Sequence, residues 1–287
     1  MGNKKIDFFF IILFLLVFTG NISCRSKDET FKKPESFIID TETGEYFVSN
    51  VNGIPLDRDK NGYITKLDKD LKVINKEFIK GTADVELHAP KGMAIIGDVL
   101  YVTDISNLRA YNKKTGENVA DIDLKDRGAI FLNDIIADKD GNLYVSDMTA
   151  NIIYKVETQN ENKVSVFCEG EQLDQPNGLM IHPQTGDLLV AAWGGKFLSI
   201  DKDGKVSAFL DDKKIGLDGI DYDNDGNIYV SSFQEGEIYK ITPDKKITTI
   251  KKGLKTPADI SVDRKKGLLL IPFMSADKIE TMELKGN

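Results

Sequence analysis

A unit of 40 to 56 residues recurs through nearly the whole chain, and no other feature narrows the possible folds so far. Each copy opens on a short head, runs through an apolar stretch and a glycine-containing turn, and continues into two further strands. Gly141-Asn142-Leu143-Tyr144-Val145-Ser146 followed by Ile152-Ile153-Tyr154-Lys155-Val156 is one example. Heads begin at Pro34, Pro90, Leu132, Pro176, Leu217 and Pro257, at spacings of 56, 42, 44, 41 and 40 residues. That period belongs to a four-stranded propeller blade. Side chains alternate apolar and polar, and the turns carry Asp-Gly-Asn or Thr-Gly, which supply the positive φ that tight hairpins need. No segment beyond residue 23 shows helical periodicity. The sequence therefore predicts an all-β protein, a six-bladed β-propeller forming one domain over residues 34–287.

Units two to five end in a fourth strand such as Val206-Ser207-Ala208-Phe209-Leu210, whereas the last unit runs to Leu284 without one. Residues 29–33, around Phe31, are expected to supply that outer strand to blade six, because closing the ring removes exposed sheet edges. The first unit carries two surplus loops, residues 50–62 and 81–89, both on the same end of the propeller as the heads. Long loops on one face are commonly functional; a tolerated surface insertion is the other reading.

The chain before the repeats reads as an address. Lys4 and Lys5 precede an unbroken apolar run over residues 8–18, the length of a signal-peptide core and short of a membrane span. Thr19-Gly20-Asn21-Ile22-Ser23-Cys24 resembles the lipobox of bacterial lipoproteins, with Asn21 standing where an aliphatic residue is preferred. Residues 1–23 are thus expected to be a cleaved signal and Cys24 a lipidated first residue, with residues 24–33 as tether and closing strand. The other reading is a secretory signal followed by an incidental cysteine. Lipidation would place the protein in the cell envelope, facing the periplasm or on the outer membrane. Ser26-Lys27-Asp28-Glu29 also resembles the acidic tag of surface lipoproteins.

Composition removes several partner classes. With 38 Lys and Arg against 46 Asp and Glu the net charge is −8, which argues against a broad nucleic-acid face. Two cysteines cannot build a disulfide framework, and Cys168 alternates with strand positions in Val164-Ser165-Val166-Phe167-Cys168, the pattern of a buried thiol. A small-molecule substrate, a membrane contact through the lipid anchor only, and a monomer are the expectations that remain.

The heads differ from one another, and the difference carries chemistry. Their second residues are Glu35, Lys91, Asn133, Asn177, Asp218 and Ala258. A position that only capped a turn would repeat one residue type. Four of the six instead offer oxygen, as two carboxylates and two amide carbonyls converging on a narrow axis, a set suited to a hard cation. Calcium fits it best, and zinc is disfavoured because no His or Cys stands among the heads.

Pro34-Glu35-Ser36, Leu132-Asn133-Asp134, Pro176-Asn177-Gly178 and Leu217-Asp218-Gly219 resemble the Glu, Asn, Asn and Asp motifs of the regucalcin/gluconolactonase family, related to diisopropyl fluorophosphatase and the paraoxonases. The resemblance covers essentially all of the chain after the signal and implies a six-bladed propeller with a catalytic divalent metal at the channel mouth, hydrolysing lactones or phosphotriesters. It implies Glu35, Asn133, Asn177 and Asp218 as metal ligands, with Asp218 doubling as base or nucleophile. In sugar-lactonase members an Arg stands two residues before the first Asn, where this chain has Phe131. The metal site therefore transfers better than the substrate.

A calcium ion polarises a carbonyl, and a base must still take the proton of the attacking water. Asp218 is the first candidate and His88, in the loop entering blade two, the second; a solvated loop residue is the alternative for His88. Lys91 either steers an anionic substrate or points into solvent. Trp193 either lines the pocket mouth or covers a blade edge. Asp221-Tyr222-Asp223-Asn224-Asp225-Gly226 imitates an EF-hand opening, but Ser232 stands where the bidentate Glu belongs, so it reads as a repeat turn. Two function classes follow: a calcium-dependent hydrolase of a lactone or related ester, or a non-catalytic propeller lipoprotein that binds a ligand or protein around a structural metal.

Overall fold

The computed structural model describes residues 30–81 and 86–284. Among them lie six antiparallel sheets, three single-turn 3-10 segments and no helix long and apolar enough to cross a membrane. Within each sheet the strands pair in chain order, so each repeat is one blade. The inner strands are Pro34–Ile39, Pro90–Ile96, Leu132–Ala137, Pro176–Ile181, Leu217–Tyr222 and Ser261–Asp263. Five of them begin on the residue where the repeat places a head. Each inner strand lies against the next, and the last against the first, around a central channel.

Alternation at period two works here on both faces, because each sheet is covered by a neighbour on either side. In blade four, Val190 and Leu188 pack toward blade three while Leu189 and Ala191 pack toward blade five. The protein consequently has no single core. Its six principal apolar clusters each fill one interface between neighbouring blades. Cys168 lies in one of them, and burial pushes its thiol up to about 12, the inert state its strand pattern suggests.

Two devices, hydroxyl bridges and glycine, draw the inner strands together. The Ser146 hydroxyl accepts the Asp134 N–H at 2.9 Å within its own blade and donates to the Asn177 carbonyl of the next blade at 2.8 Å. Ser231 makes the same pair of bonds to Gly219 and Ala258, and Thr103 donates to the Asn133 carbonyl. Glycine at the third head position then allows close approach: a Cβ on Gly178 would lie 2.0 Å from the Asp218 carbonyl oxygen, and one on Gly219 2.1 Å from the Ile260 nitrogen.

Closure of the ring departs from expectation. Residues 30–33, the described part of the expected closing strand, form no strand, and the sixth sheet has three strands among the described residues. The Lys32 and Lys33 carbonyls accept from Asn52 and Val51 in blade one, at 3.1 Å each, so the segment runs along the loop after the second strand of blade one. Lys33, at φ 49°, turns the chain directly into the first head, and its N–H donates to Asp277 of blade six at 2.8 Å. Phe31 still joins the cluster between blades six and one. The seam is made by a parallel bridge between Ser36 and Asp259 and by the Asp259 N–H donating to the Glu35 carbonyl at 2.9 Å. The signal segment and Cys24 lie outside the described residues.

Candidate metal centre on the channel axis

All six second head residues are withdrawn from solvent, between 0 and 6 % exposed. Their backbones are held by the inter-blade bonds above, which aim the first turn of each inner strand at the axis. The Asn177 amide nitrogen donates to the Leu217 carbonyl at 3.2 Å, and that of Asn133 lies 3.8 Å from the Met148 sulfur. Three buried oxygens in this set have no hydrogen-bond partner: Glu35 Oε2, Asn177 Oδ1 and Asp218 Oδ1. Buried polar atoms are almost always satisfied, so three orphans among four neighbouring oxygen donors point to something the protein atoms do not provide. Among the described residues no three His, Cys, Asp or Glu side chains form a metal-holding group; the axial set has only two such residues and completes itself with amides. Two carboxylates and two amide carbonyls are an all-oxygen set that could hold calcium.

The electrostatics agree with that reading. Burial raises the Glu35 carboxyl well above its ordinary range, Asp218 and Asp259 add repulsion, and Lys91 partly opposes them. Burial, then Asp259, raises Asp218 in the same way. Asp134 is raised by burial and Asp259, and Asp259 itself is pushed up to about 7, chiefly by burial. Four desolvated carboxylates thus share one low-dielectric space, and Lys91 offsets only one of them, Glu35. The four are stable as anions only beside additional positive charge.

Asp134 and Asp259 escaped the sequence reading, which followed only the second head residue. The third residues are Ser36, Gly92, Asp134, Gly178, Gly219 and Asp259. A carboxylate in a slot that three other blades fill with glycine was the available signal.

Lys91 does not reach solvent. It is 2 % exposed, its Nζ donates to the Ala89 carbonyl at 3.0 Å, and it lies 4.5 Å from the centre of the Phe131 ring. Burial lowers its ammonium to about 8 against the opposing pull of Glu35. Trp193 packs on Phe233 with ring centres 5.6 Å apart and exchanges backbone bonds with Gln175 and Gly216, so it ties the loops of blades four and five. His88 is buried rather than solvated. Its Nδ1 accepts the Lys60 N–H at 3.1 Å, which fixes the neutral tautomer with Nε2–H facing Glu86 Oε2 at 3.1 Å. The lone pair a general base needs is therefore engaged, and His88 joins the two surplus loops of blade one, where Lys60 also pairs with Glu86. His88→Ala is expected to lower the melting temperature by several degrees and to leave calcium affinity within about twofold, as calorimetric titration can check.

A family model described as SMP-30/Gluconolactonase/LRE-like region matches residues 72–261, more than half of the chain. The match contains Asn133, Asn177 and Asp218 and begins after Glu35. No curated protein matches the sequence. Similar solved structures include a streptogramin B lyase (15 % identity, TM-score 0.65, covering 89 % of this chain and 95 % of that one). A virginiamycin B lyase from Staphylococcus aureus is similar at 15 % identity and TM-score 0.60, with 91 % and 87 % covered. A protein of unknown function from Bacteroides thetaiotaomicron is similar at 14 % identity and TM-score 0.66, with 88 % and 69 % covered. At such identities these likenesses concern the fold.

Proposed function

The chain belongs to the SMP-30/gluconolactonase/LRE-like family, and from that premise we propose that it is a calcium-dependent hydrolase that opens a lactone or related ester at the channel axis. The observation that carries this reading is the trio of unpartnered buried oxygens on Glu35, Asn177 and Asp218, three of the four side chains expected as ligands.

Glu35, Asn133, Asn177 and Asp218 would hold the ion. When bound, calcium supplies Lewis acidity that polarises the scissile carbonyl. Asp218 would also be the base that takes the proton of an attacking water. Lys91, fixed above Phe131, adds positive potential where negative charge develops on the substrate. Phe131, in place of the family's Arg, gives that side of the site an apolar wall and favours a less polar acyl group than a sugar acid.

The test is hydrolysis by the protein lacking residues 1–23 of a panel of lactones, aryl esters and phosphotriesters, with and without chelator. Chelator-sensitive turnover with one oxygen incorporated from labelled water is expected, falling at least about a hundredfold in Asp218→Ala. Turnover without oxygen incorporation would indicate elimination, the reaction class named for two of the fold neighbours. Tight calcium binding with no turnover on any substrate would favour the binding propeller. For location, we propose the lipid anchor at Cys24: Cys24→Ser should move the full-length protein from the membrane to the soluble fraction, and its retention in the membrane fraction would overturn the anchor.

A further inference from the structure

The far end of the channel, opposite the heads, opens into a cavity of about 480 Å³, within the roughly 300–1,000 Å³ of small-molecule sites. Its walls are apolar side chains of the inner strands, including Ile38, Met93, Ile136, Ile220, Ile260 and Val262. Two cations stand in its lining and both are already paired. Lys113 binds Asp40 at 2.9 Å and Glu42 at 2.7 Å, and Arg264 binds Asp221 and lies over the Tyr222 ring. At the inner end are Asp134 and Asp259, neither of which has an ion-pair partner among the described residues. Asp134 accepts the N–H groups of Ile135 and Leu179 at 2.6 Å each, and Asp259 accepts the Ser36 hydroxyl. These bonds orient the two carboxylates without neutralising them.

We propose that this cavity binds a small organic cation, a primary amine with an apolar body, whose ammonium sits against Asp134 and Asp259. Charge and wall chemistry together select this class. An anion would meet five carboxylates lining the cavity against two committed cations. A neutral apolar molecule would leave the inner pair uncompensated. A metal ion needs about six oxygen ligands, and the inner end offers only the carboxylates of Asp134 and Asp259 within aliphatic walls, whereas an ammonium needs two or three acceptors and its hydrocarbon body takes the wall. In part the inference rests on the calcium reading, which assigns Glu35 and Asp218 to the ion and leaves Asp134 and Asp259 to face the cavity.

Benzylammonium, benzyl alcohol and benzoate, equal in shape and different in charge, provide the test by calorimetric titration of the protein lacking residues 1–23, in calcium-free and in calcium-saturated buffer. Benzylammonium is expected to bind at least tenfold more tightly than either analogue in both buffers. Asp259→Asn, which keeps an acceptor for Ser36, should weaken it at least tenfold, and Ala137→Phe, which fills the cavity wall away from the axial oxygens, should do the same. Equal binding of the three compounds, or unchanged amine affinity in both variants, would overturn the proposal. So would loss of amine binding at saturating calcium, which would mean a single shared cation site. Should calcium fail to bind at all, the calcium reading falls while the amine titration in calcium-free buffer still decides the cavity.

Discussion

Asp218→Asn is expected to melt at a higher temperature than the unmodified protein in chelator and to gain almost nothing from calcium. The substitution removes one of four buried carboxylates that repel one another while keeping a carbonyl oxygen and the local shape. Relief of a buried, poorly compensated group is worth about 1–3 kcal/mol, or roughly 2–12 °C for a chain of this size. The unmodified protein should behave in the opposite way. At calcium a hundredfold above its Kd it gains about 2.7 kcal/mol, a rise of roughly 5–10 °C. Scanning calorimetry of both proteins, with and without calcium, checks the crossing. A melting temperature of the unmodified protein that ignores calcium would remove the metal centre.

The same cluster sets a pH dependence. Glu35, Asp134, Asp218 and Asp259 all have carboxyls raised above their unfolded values, so the folded protein holds more protons than the unfolded one through that interval. Their contribution to stability is fully present below the ordinary carboxyl range near pH 4. It is lost as pH rises through the folded values, which for Asp259 is about 7. Without calcium the protein should therefore lose stability between about pH 4 and 7. Calcium, which competes with those protons, should bind progressively more tightly over the same interval. Calcium affinity independent of pH between 5 and 7.5 would contradict the assignment of carboxylates to the site.

Gly178→Ala and Gly219→Ala are expected to be strongly destabilising single-methyl changes. Neither glycine has positive φ, so the cost is space alone. The added carbon would overlap the Asp218 carbonyl oxygen at 2.0 Å or the Ile260 nitrogen at 2.1 Å, both backbone atoms of the next blade that cannot rotate away. Overpacking of this kind costs roughly 3 kcal/mol or more, near 6–12 °C. Gly97→Ala is the control. Its φ is 57° with nothing within 4 Å, so it carries backbone strain alone, about 1 kcal/mol. Urea unfolding of the three variants should order them accordingly, and an equal cost at all three would mean that the blades are not held at that distance. Gly178 opposes the backbone of Asp218 itself, so the variant that survives should also lose calcium affinity.

Much of the architecture was legible because its signals are local. Alternating side chains, Asp-Gly turns and a period near 44 identify a blade from residues that are chain neighbours, and the heads at Pro34, Pro90, Leu132, Pro176 and Leu217 coincide with the starts of inner strands. Burial of the second head residues at the starts of the inner strands was legible for a related reason. Repetition places equivalent residues at equivalent positions, so one column of the repeat predicts one ring of side chains, and Glu35, Asn133, Asn177 and Asp218 are all buried there.

Where residues from distant parts of the chain meet, the repeat was silent or misleading. A solvated His88 is a reasonable reading of an isolated loop, but the ring is enclosed because two surplus loops of blade one close on each other through Lys60 and Glu86. Residues 30–33 look free to complete blade six; the hydrogen bonds of Lys32 and Lys33 to the first blade use that backbone instead. Lys91 in a loop-entry position suggests solvent, yet Phe131 and the Ala89 carbonyl cover it. Chain order alone thus specifies six blades and the residue types offered to the axis, since both follow from short-range periodicity. Closing the circle is what brings Asp134 and Asp259 into the same water-poor space as Glu35 and Asp218. Repulsion and desolvation, which raise those carboxyls, depend on through-space distance and not on separation along the chain.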